Sequence, residues 1–497
     1  MKKALLVNWD SYPNFTSGGV YTSIKTFIDN MPDWEFVIFN ELSNSNSNGK
    51  YVVPRNVTQI IEIPMFGSNR YEEFYNEDKS LFLKIHRTKE SIIKHMFLPL
   101  YRQFLSNLLT DNCDPKQLSQ SIIELHRFLV VYDSKKCLEH YLTWETFLEQ
   151  ITKDPLYRHM EIKSVLTAFQ VIQRNIQLLS IQVPKVDLIH CSLAWLPSLI
   201  AVFAKEESNC PVVVTEHGVA FRELLLYYNG YLYDEPSKIF WKVFSRNVVR
   251  TIYSIADVIT PVCHANVMWA KSLGADPSKI RVIYNGVNVK KFRPMKVKRE
   301  TDKPTVVCLA RIDPIKDIIC LIQAIRYVKE QIPNVQCLIY GTSTDLTYSW
   351  RCIDMVKNLE LDNHVKFMGD TKEPEKAYNV ADVVVISSIS EGFPFALIEA
   401  MACAKAIVAS DVGGVREALE GCGMMVRSRR PHELAQAIVS LFNDEKLRNE
   451  LEAAAVKRVR EQFTAEQSVG GIRILYDDTI NLYRQKQHEK IIEVINN

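Results

Sequence analysis

Two α/β domains, each built on a parallel sheet, are the fold class this sequence predicts, with a helical insertion in the first. Three observations carry it. Short apolar runs of strand length alternate with amphipathic runs of helix length in both halves, the pattern of βαβ units. A stretch rich in turn residues and charge, Asn285–Pro294 followed by Lys296–Lys303, separates the two sets, as a linker would. The chain has 497 residues, more than one hydrophobic core usually holds.

In the first half the expected strands are Ala4–Asn8, Phe36–Phe39, Asp187–His190, Val212–Thr215, Val258–Thr260 and Arg281–Ile283. In the second they are Thr305–Leu309, Gln336–Tyr340, Val365–Met368, Val383–Ile386 and Ala406–Ala409. Each is a short apolar run, as expected of strands buried on both faces. Residues 70–180 differ, with apolar side chains at helical spacing such as Ile122, Leu125, Phe128 and Leu129. They predict an insertion of several helices, read as a packing or lid subdomain. Asn44–Gly49 reads as a polar loop, and Ala465–Glu493 as one long amphipathic helix. The expected domains are 1–297, carrying the insertion, then 298–470, then a C-terminal helix over 471–497.

Composition narrows the function classes. The 47% hydrophobic and 24% charged content is that of a soluble globular enzyme. A net charge of +2 gives no long-range field for nucleic acid. Eleven cysteines lie singly, with no C-x-x-C pair, and several sit in apolar runs (Cys308, Cys320, Cys337, Cys403). That favours a reducing cytoplasm over a disulfide framework. The apolar stretch after Met1 is cut short by Asp10, so it reads as a first strand rather than a leader. Val186–Ala204 is interrupted by Asp187, His190 and Pro197 and fits a strand and helix better than a membrane span. A nicotinamide-type dehydrogenase is disfavoured, because no G-x-G-x-x-G follows the first strand.

The most informative segment is Ser390–Met401, Ser-Glu-Gly-Phe-Pro-Phe-Ala-Leu-Ile-Glu-Ala-Met. It follows the apolar run Ala381–Ser388, so Glu391 falls in a Gly/Pro turn at the carboxyl end of a strand and Glu399 on the next helix. Ligands of open α/β sheets collect at that edge. An eight-residue helical offset spans about 12 Å, on the scale of a nucleotide sugar lying along the helix start. Phe395, Ile398 and Ala402 are expected to form the buried stripe of that helix. Arg311, just past a strand, and Lys316, just before a helix, supply cations suited to a diphosphate. Gly18-Gly19 precede a helix expected over Tyr21–Asp29, where backbone donors could meet a phosphate. His217, in Thr215-Glu216-His217-Gly218, stands at a strand end. No D-x-D motif is present.

Glu391, Gly392, Phe393, Glu399, Ala400 and Met401 match, in register, the E-x7-E motif of retaining glycosyltransferases of family 4, which the chain resembles. Gly18-Gly19, Glu216-His217-Gly218, Asn285-Gly286-Val287 and Arg311 with Lys316 occur in that family's order. Thr215–Gly218, Arg311–Asp317 and Ile389–Gly392 look closest to the PelF-like exopolysaccharide enzymes. The resemblance implies the GT-B fold, two facing Rossmann-like domains with the active site in the cleft between them. It implies net retention by a front-face route in which the leaving phosphate helps to deprotonate the acceptor, with no metal and no cofactor beyond the nucleotide sugar co-substrate. By position, Arg311 and Lys316 would hold the diphosphate and Glu399 the ribose. Glu391 and His217 would contact the transferred sugar as the catalytic pair. Gly18, Gly19, Gly392, Phe393 and Pro394 would complete the donor site. Phe393 departs from the Gln expected in PelF-like proteins, at a position expected to abut the sugar.

The function expected is transfer of a hexose, best guess from UDP-glucose, to a growing exopolysaccharide or other glycan acceptor in the cytoplasm. Alternatives are a GDP-sugar, ADP-sugar or UDP-N-acetylglucosamine donor, or a non-catalytic nucleotide-binding scaffold. A membrane-bound polysaccharide synthesis complex is a candidate partner; nucleic acid is not.

Overall fold

A computed structural model describes residues 1–14, 18–43, 52–65, 81–231, 234–343 and 345–496. The chain divides into two compact units. One comprises Met1–Pro261, Val267–Arg281 and Arg473–Asn497; the other comprises Val262–Asn266 and Val282–Ile472.

The first unit holds six parallel strands: β1 (Lys2–Trp9), β2 (Trp34–Leu42), β3 (Val57–Pro64), β4 (Leu188–Cys191), β5 (Val212–Glu216) and β6 (Val258–Pro261), in the order β3-β2-β1-β4-β5-β6. β1 is buried from Ala4 to Asn8 because helices cover both faces of a parallel sheet. The order reverses between β1 and β4, the place where open α/β sheets form a ligand crevice. The second unit repeats the plan with β7 (Thr305–Leu309), β8 (Gln336–Tyr340), β9 (Val365–Gly369), β10 (Val383–Ile386), β11 (Ala406–Ser410) and β12 (Met424–Val426), in the order β12-β11-β10-β7-β8-β9. Its reversal falls between β7 and β10.

Two strands escape sequence reading. β3 is an edge strand whose first half is exposed, and β12 is three residues long and only half-buried. Arg281–Ile283, expected as a strand, is not one. A single bridge joins Ile280 to Ile259, with Arg281 N–H donating to the Ile259 carbonyl at 2.9 Å, and the chain then leaves the sheet. Strand placement otherwise follows the apolar runs.

The insertion is helical from Leu81; its expected first residues, and Asn44–Gly49, lie outside the described residues. Asp114 caps the helix Pro115–Leu129 by accepting from Lys116 N–H, with Pro115 at the first helical position. Ile122, Leu125, Phe128 and Leu129 are buried on its inner face. They join the core of the first unit along with Phe97, Tyr101 and Leu105. Among the described residues no helix is long and apolar enough to cross a membrane.

In the second unit Gly341 has φ +141°, and a Cβ there would lie 2.0 Å from the Ala310 carbonyl oxygen. That close approach lets the chain after β7 run on beside the chain after β8, with Ile312 N–H donating to Thr342 O at 2.9 Å. Gly341→Ala is expected to lower stability by at least about 2 kcal/mol, from the disfavoured φ and the clash together. The midpoint of urea unfolding measures this; an unchanged midpoint refutes it.

Candidate active site

Seven of the predicted residues lie at the carboxyl edge of the second unit's sheet, beside its reversal point. After β7 the chain passes exposed Arg311 and enters the 3-10 turn Pro314–Lys316, capped by Asp313, whose carboxylate accepts from Ile315 N–H at 2.9 Å. After β10 come Ser387, Ser388 and the turn Glu391–Pro394. The two segments are tied together. Ile389 N–H donates to Ile315 O at 2.8 Å, and Ser387 Oγ donates to Lys316 O at 2.8 Å.

This places Lys316 Nζ 2.7 Å from Glu391 Oε1, with side-chain exposures of 20% and 10%. Ser388 Oγ donates to the same Oε1 at 2.6 Å. Sequence reading assigned Lys316 and Glu391 to different parts of a ligand; the fold brings them into one ion pair. Arg311 makes no ion pair among the described residues.

The turn is braced from behind. Gly392 O accepts from Gly414 N–H at 2.8 Å, and Phe393 O accepts from Asn285 Nδ2 at 2.9 Å. Gly413 has φ +54°, and a Cβ there would lie 1.9 Å from Glu391 O. Pro394 is the N-cap residue of the helix Phe395–Ala402. The Phe393 ring is 2% exposed and packs at 5.0 Å from both Tyr284 and Phe463. It is therefore a core side chain, and what residue 393 offers a ligand is its backbone. Phe395, expected on the buried stripe, is half-buried. Ile398 and Ala402 are buried as expected, and Leu397, Ala400 and Met401 are buried with them.

Glu399 is half-buried, and its Oε2 accepts from Tyr378 O–H at 2.9 Å. Burial pushes its carboxyl up to about 7, against the Tyr378 hydrogen bond and the charge of Lys291, while Glu375 adds to the rise. Near neutral pH this side chain is divided between ionised and protonated forms.

Gly18, Gly19 and His217 belong to the first unit. Gly18 has φ +116° and precedes the helix Gly19–Asp29, which starts two residues earlier than expected; Ser17 lies outside the described residues. His217 follows β5 and is half-buried. Its neighbour Glu216 is buried and accepts from Tyr253 O–H at 2.7 Å, and burial pushes the carboxyl up to about 8. Behind it, His190 bridges Thr215 Oγ1 at 2.7 Å and Tyr476 O–H at 2.5 Å. Burial holds that imidazole neutral, down to about 3. Glu223 lies over Gly218, where a Cβ would meet its Oε1 at 2.1 Å.

Sequence reasoning missed Ser388, Tyr378, Gly413 and Gly414, and saw Asn285 as a turn residue and family landmark rather than a brace. Gly413-Gly414 just past a strand was a readable signal. Tyr378 had none, because it meets Glu399 across 21 residues of chain.

The chain belongs to the family "Domain of unknown function (DUF3492)", matched over residues 3–278; residues 289–458 match "Glycosyl transferases group 1". It is 27% identical over 302 residues to the D-inositol 3-phosphate glycosyltransferase of Rhodococcus erythropolis, covering 58% of this chain and 66% of that one. It is 23% identical over 305 residues to the N-acetyl-alpha-D-glucosaminyl L-malate synthase of Bacillus anthracis, covering 59% and 75%. A match to the D-inositol 3-phosphate glycosyltransferase of Kineococcus radiotolerans spans 49% of that relative, and the chain spans between 49% and 72% of the inositol-phosphate relatives it matches. Among solved structures, sucrose-phosphate synthase from Thermosynechococcus elongatus superposes with a TM-score of 0.62 at 18% identity, over 96% of this chain and 99% of that one. Anabaena HepE in complex with UDP-glucose gives 0.60 at 15%, over 96% and 100%. The chain has the GT-B fold of two Rossmann-like domains, and the relatives it matches are glycosyltransferases.

The ion pair yields a prediction independent of any ligand. Lys316→Met and Glu391→Gln should each destabilise the protein, since each strands a partly buried partner. The double variant should cost less than the sum of the two by about 1 kcal/mol or more. Additive losses in a denaturation double-mutant cycle would remove the pair as a stabilising contact.

Proposed function

We propose that this chain is a glycosyltransferase that moves a hexose from a nucleoside diphosphate sugar, with UDP-glucose the preferred donor, to a glycan acceptor such as a growing exopolysaccharide. The observation that carries it is the placement of Lys316, Glu391 and the start of the Phe395–Ala402 helix at one sheet edge beside the strand reversal. HepE, solved with UDP and with UDP-glucose, supports the choice of donor by fold likeness, and the E-x7-E resemblance supports family 4 and a PelF-like relationship. In this reading Arg311 and Lys316 hold the diphosphate, the backbone of Gly392–Pro394 lines it, and Glu399 accepts from the ribose hydroxyls. Glu391 and His217 contact the transferred sugar, and Gly18-Gly19 approach the phosphates or the acceptor. The acceptor hydroxyl oxygen bonds to the anomeric carbon as that carbon's bond to the diphosphate breaks, and the hydroxyl proton passes to a phosphate oxygen. Retention and metal independence rest on the resemblance together with the two cations available to neutralise the leaving group. Eleven free, buried cysteines support a reducing cytoplasm. A membrane-bound polysaccharide synthesis complex is the partner such an activity would serve.

The purified protein should release UDP from UDP-glucose, slowly with water and faster with a suitable glycan, and EDTA should leave the rate unchanged. Abolition by EDTA with rescue by Mn²⁺ would overturn metal independence, and binding without any turnover would favour the scaffold alternative. Arg311→Ala should weaken UDP binding by about 1.5–3 kcal/mol, the usual range for hydrogen bonds to charged groups. Wild-type affinity by calorimetry would remove Arg311 from the site.

A further inference from the structure

Each glutamate of the E-x7-E pair meets one buried hydroxyl that no part of the motif predicts. Tyr378 is fully buried, its ring 6.2 Å from that of Phe292, and among the described residues its O–H donates to Glu399 Oε2 alone. Ser388 is 2% exposed, and its Oγ reaches Glu391 Oε1, the oxygen that Lys316 also binds. A glutamate has three rotatable bonds, and a carboxylate in a ligand site keeps its aim only if something fixes it. Here a buried hydroxyl holds one oxygen of each, Tyr378 from the helix Pro374–Asn379 and Ser388 from the segment just past β10. At Glu399 the other oxygen, Oε1, has no hydrogen bond among the described residues.

We propose that Tyr378 and Ser388 are positioning residues, Tyr378 aiming Glu399 at the nucleotide half of the donor and Ser388 aiming Glu391 at the transferred sugar. The inference rests on the donor-site reading above. Tyr378 keeps its proton across the working pH range, because burial and the Glu399 charge hold the phenol well above its ordinary value. The charged and titratable groups facing Glu399 are Tyr378, Lys291, Glu375 and Cys403. Of these, Tyr378 donates a hydrogen bond to the ionised form, so losing it favours the protonated form.

Calorimetry and steady-state kinetics on the full chain, with UDP and UDP-glucose, test both halves. Tyr378→Phe should raise the dissociation constant for both by roughly five- to tenfold, the size of one hydrogen bond to a charged group. UDP-glucose has no group of its own titrating near neutrality. Its wild-type binding should therefore weaken as pH falls through about 7, and in Tyr378→Phe the midpoint should move upward. Ser388→Ala should lower kcat by roughly tenfold with UDP affinity little changed, and Ser388→Thr, which keeps the hydroxyl, should restore kcat. Wild-type affinity and midpoint in Tyr378→Phe, alongside weakened binding in Glu399→Gln, overturn the Tyr378 half. Wild-type kcat in Ser388→Ala, or no rescue by Thr, overturns the Ser388 half. Wild-type behaviour of Glu399→Gln and Glu391→Gln themselves overturns the donor reading and the proposal with it, a result distinct from either failure alone. Should Tyr378→Phe not fold, the Ser388 pair still decides its own half, and a ring-fluorinated tyrosine at 378, a stronger donor of nearly the same shape, should move the midpoint downward, an unchanged midpoint overturning the Tyr378 half.

Discussion

Parallel pairing of β7 with β10 is the constraint on which the candidate site depends. Because the strands run the same way, their carboxyl ends open at one edge, and the segments that follow lie side by side although Lys316 and Glu391 are 75 residues apart. Two backbone-level ties then fix the distance, Ile389 to the Ile315 carbonyl and Ser387 to the Lys316 carbonyl. The ion pair follows from that spacing. The glycines behind the turn serve the same end, since at Gly413 and Gly414 a side chain would strike the Glu391 and Gly392 carbonyls and push the turn off its strand.

Glu391, Glu399 and Glu216 differ in the partners that hold them. Glu391 has an ammonium at 2.7 Å as well as a hydroxyl. Glu399 and Glu216 each accept from a phenol, Glu216 also from the Ala220 N–H, and burial drives their carboxyls up to about 7 and about 8. A hydroxyl donor recovers only part of the cost of taking a carboxylate out of water, whereas a cation recovers more. In the proposed reading this division is useful. The nucleotide-side glutamate meets neutral ribose hydroxyls, and the sugar-side glutamate stands beside the cation that must manage phosphate charge.

How far the sequence was legible follows from where each signal lives. Ten of the twelve described strands announced themselves as short apolar runs, all but the edge strand β9 largely buried. β3 did not, because Thr58 and Gln59 face solvent, and β12 is too short to show a period. Arg281–Ile283 carried the apolar signal without the neighbour it needed, since only Ile259 and Ile280 pair there. Site residues were legible where chemistry is local to a strand end, as with Arg311, Lys316, Glu391 and Glu399. What local reading misses is direction. The Phe393 ring turns into an aromatic core set by Tyr284 and Phe463, 109 residues before it and 70 after it, and nothing near residue 393 encodes that. Tyr378 and Ser388 are contacts of the folded edge, not of the motif.

The Lys316–Glu391 pair also resolves a difficulty that any preformed anion site carries. A cation held at a sheet edge, one-fifth exposed, is costly while it waits alone, since partial burial removes hydration and returns nothing. Glu391 supplies the counter-charge in the resting protein, so the ammonium is held at the carboxyl edge at low cost. In the proposed reading an arriving diphosphate takes over that role, and Lys316 is paired both before and after binding. The exchange is nearly balanced for Lys316, so the pair contributes placement and charge matching more than raw affinity. Exposed Arg311 has no such ion pair among the described residues. The two cations therefore act differently although the sequence presents them as equivalents. Arg311 supplies a new contact when the phosphates arrive. In that reading Lys316 changes partners, and the Glu391 carboxylate it leaves stays aimed by Ser388 at the sugar that came with the phosphates.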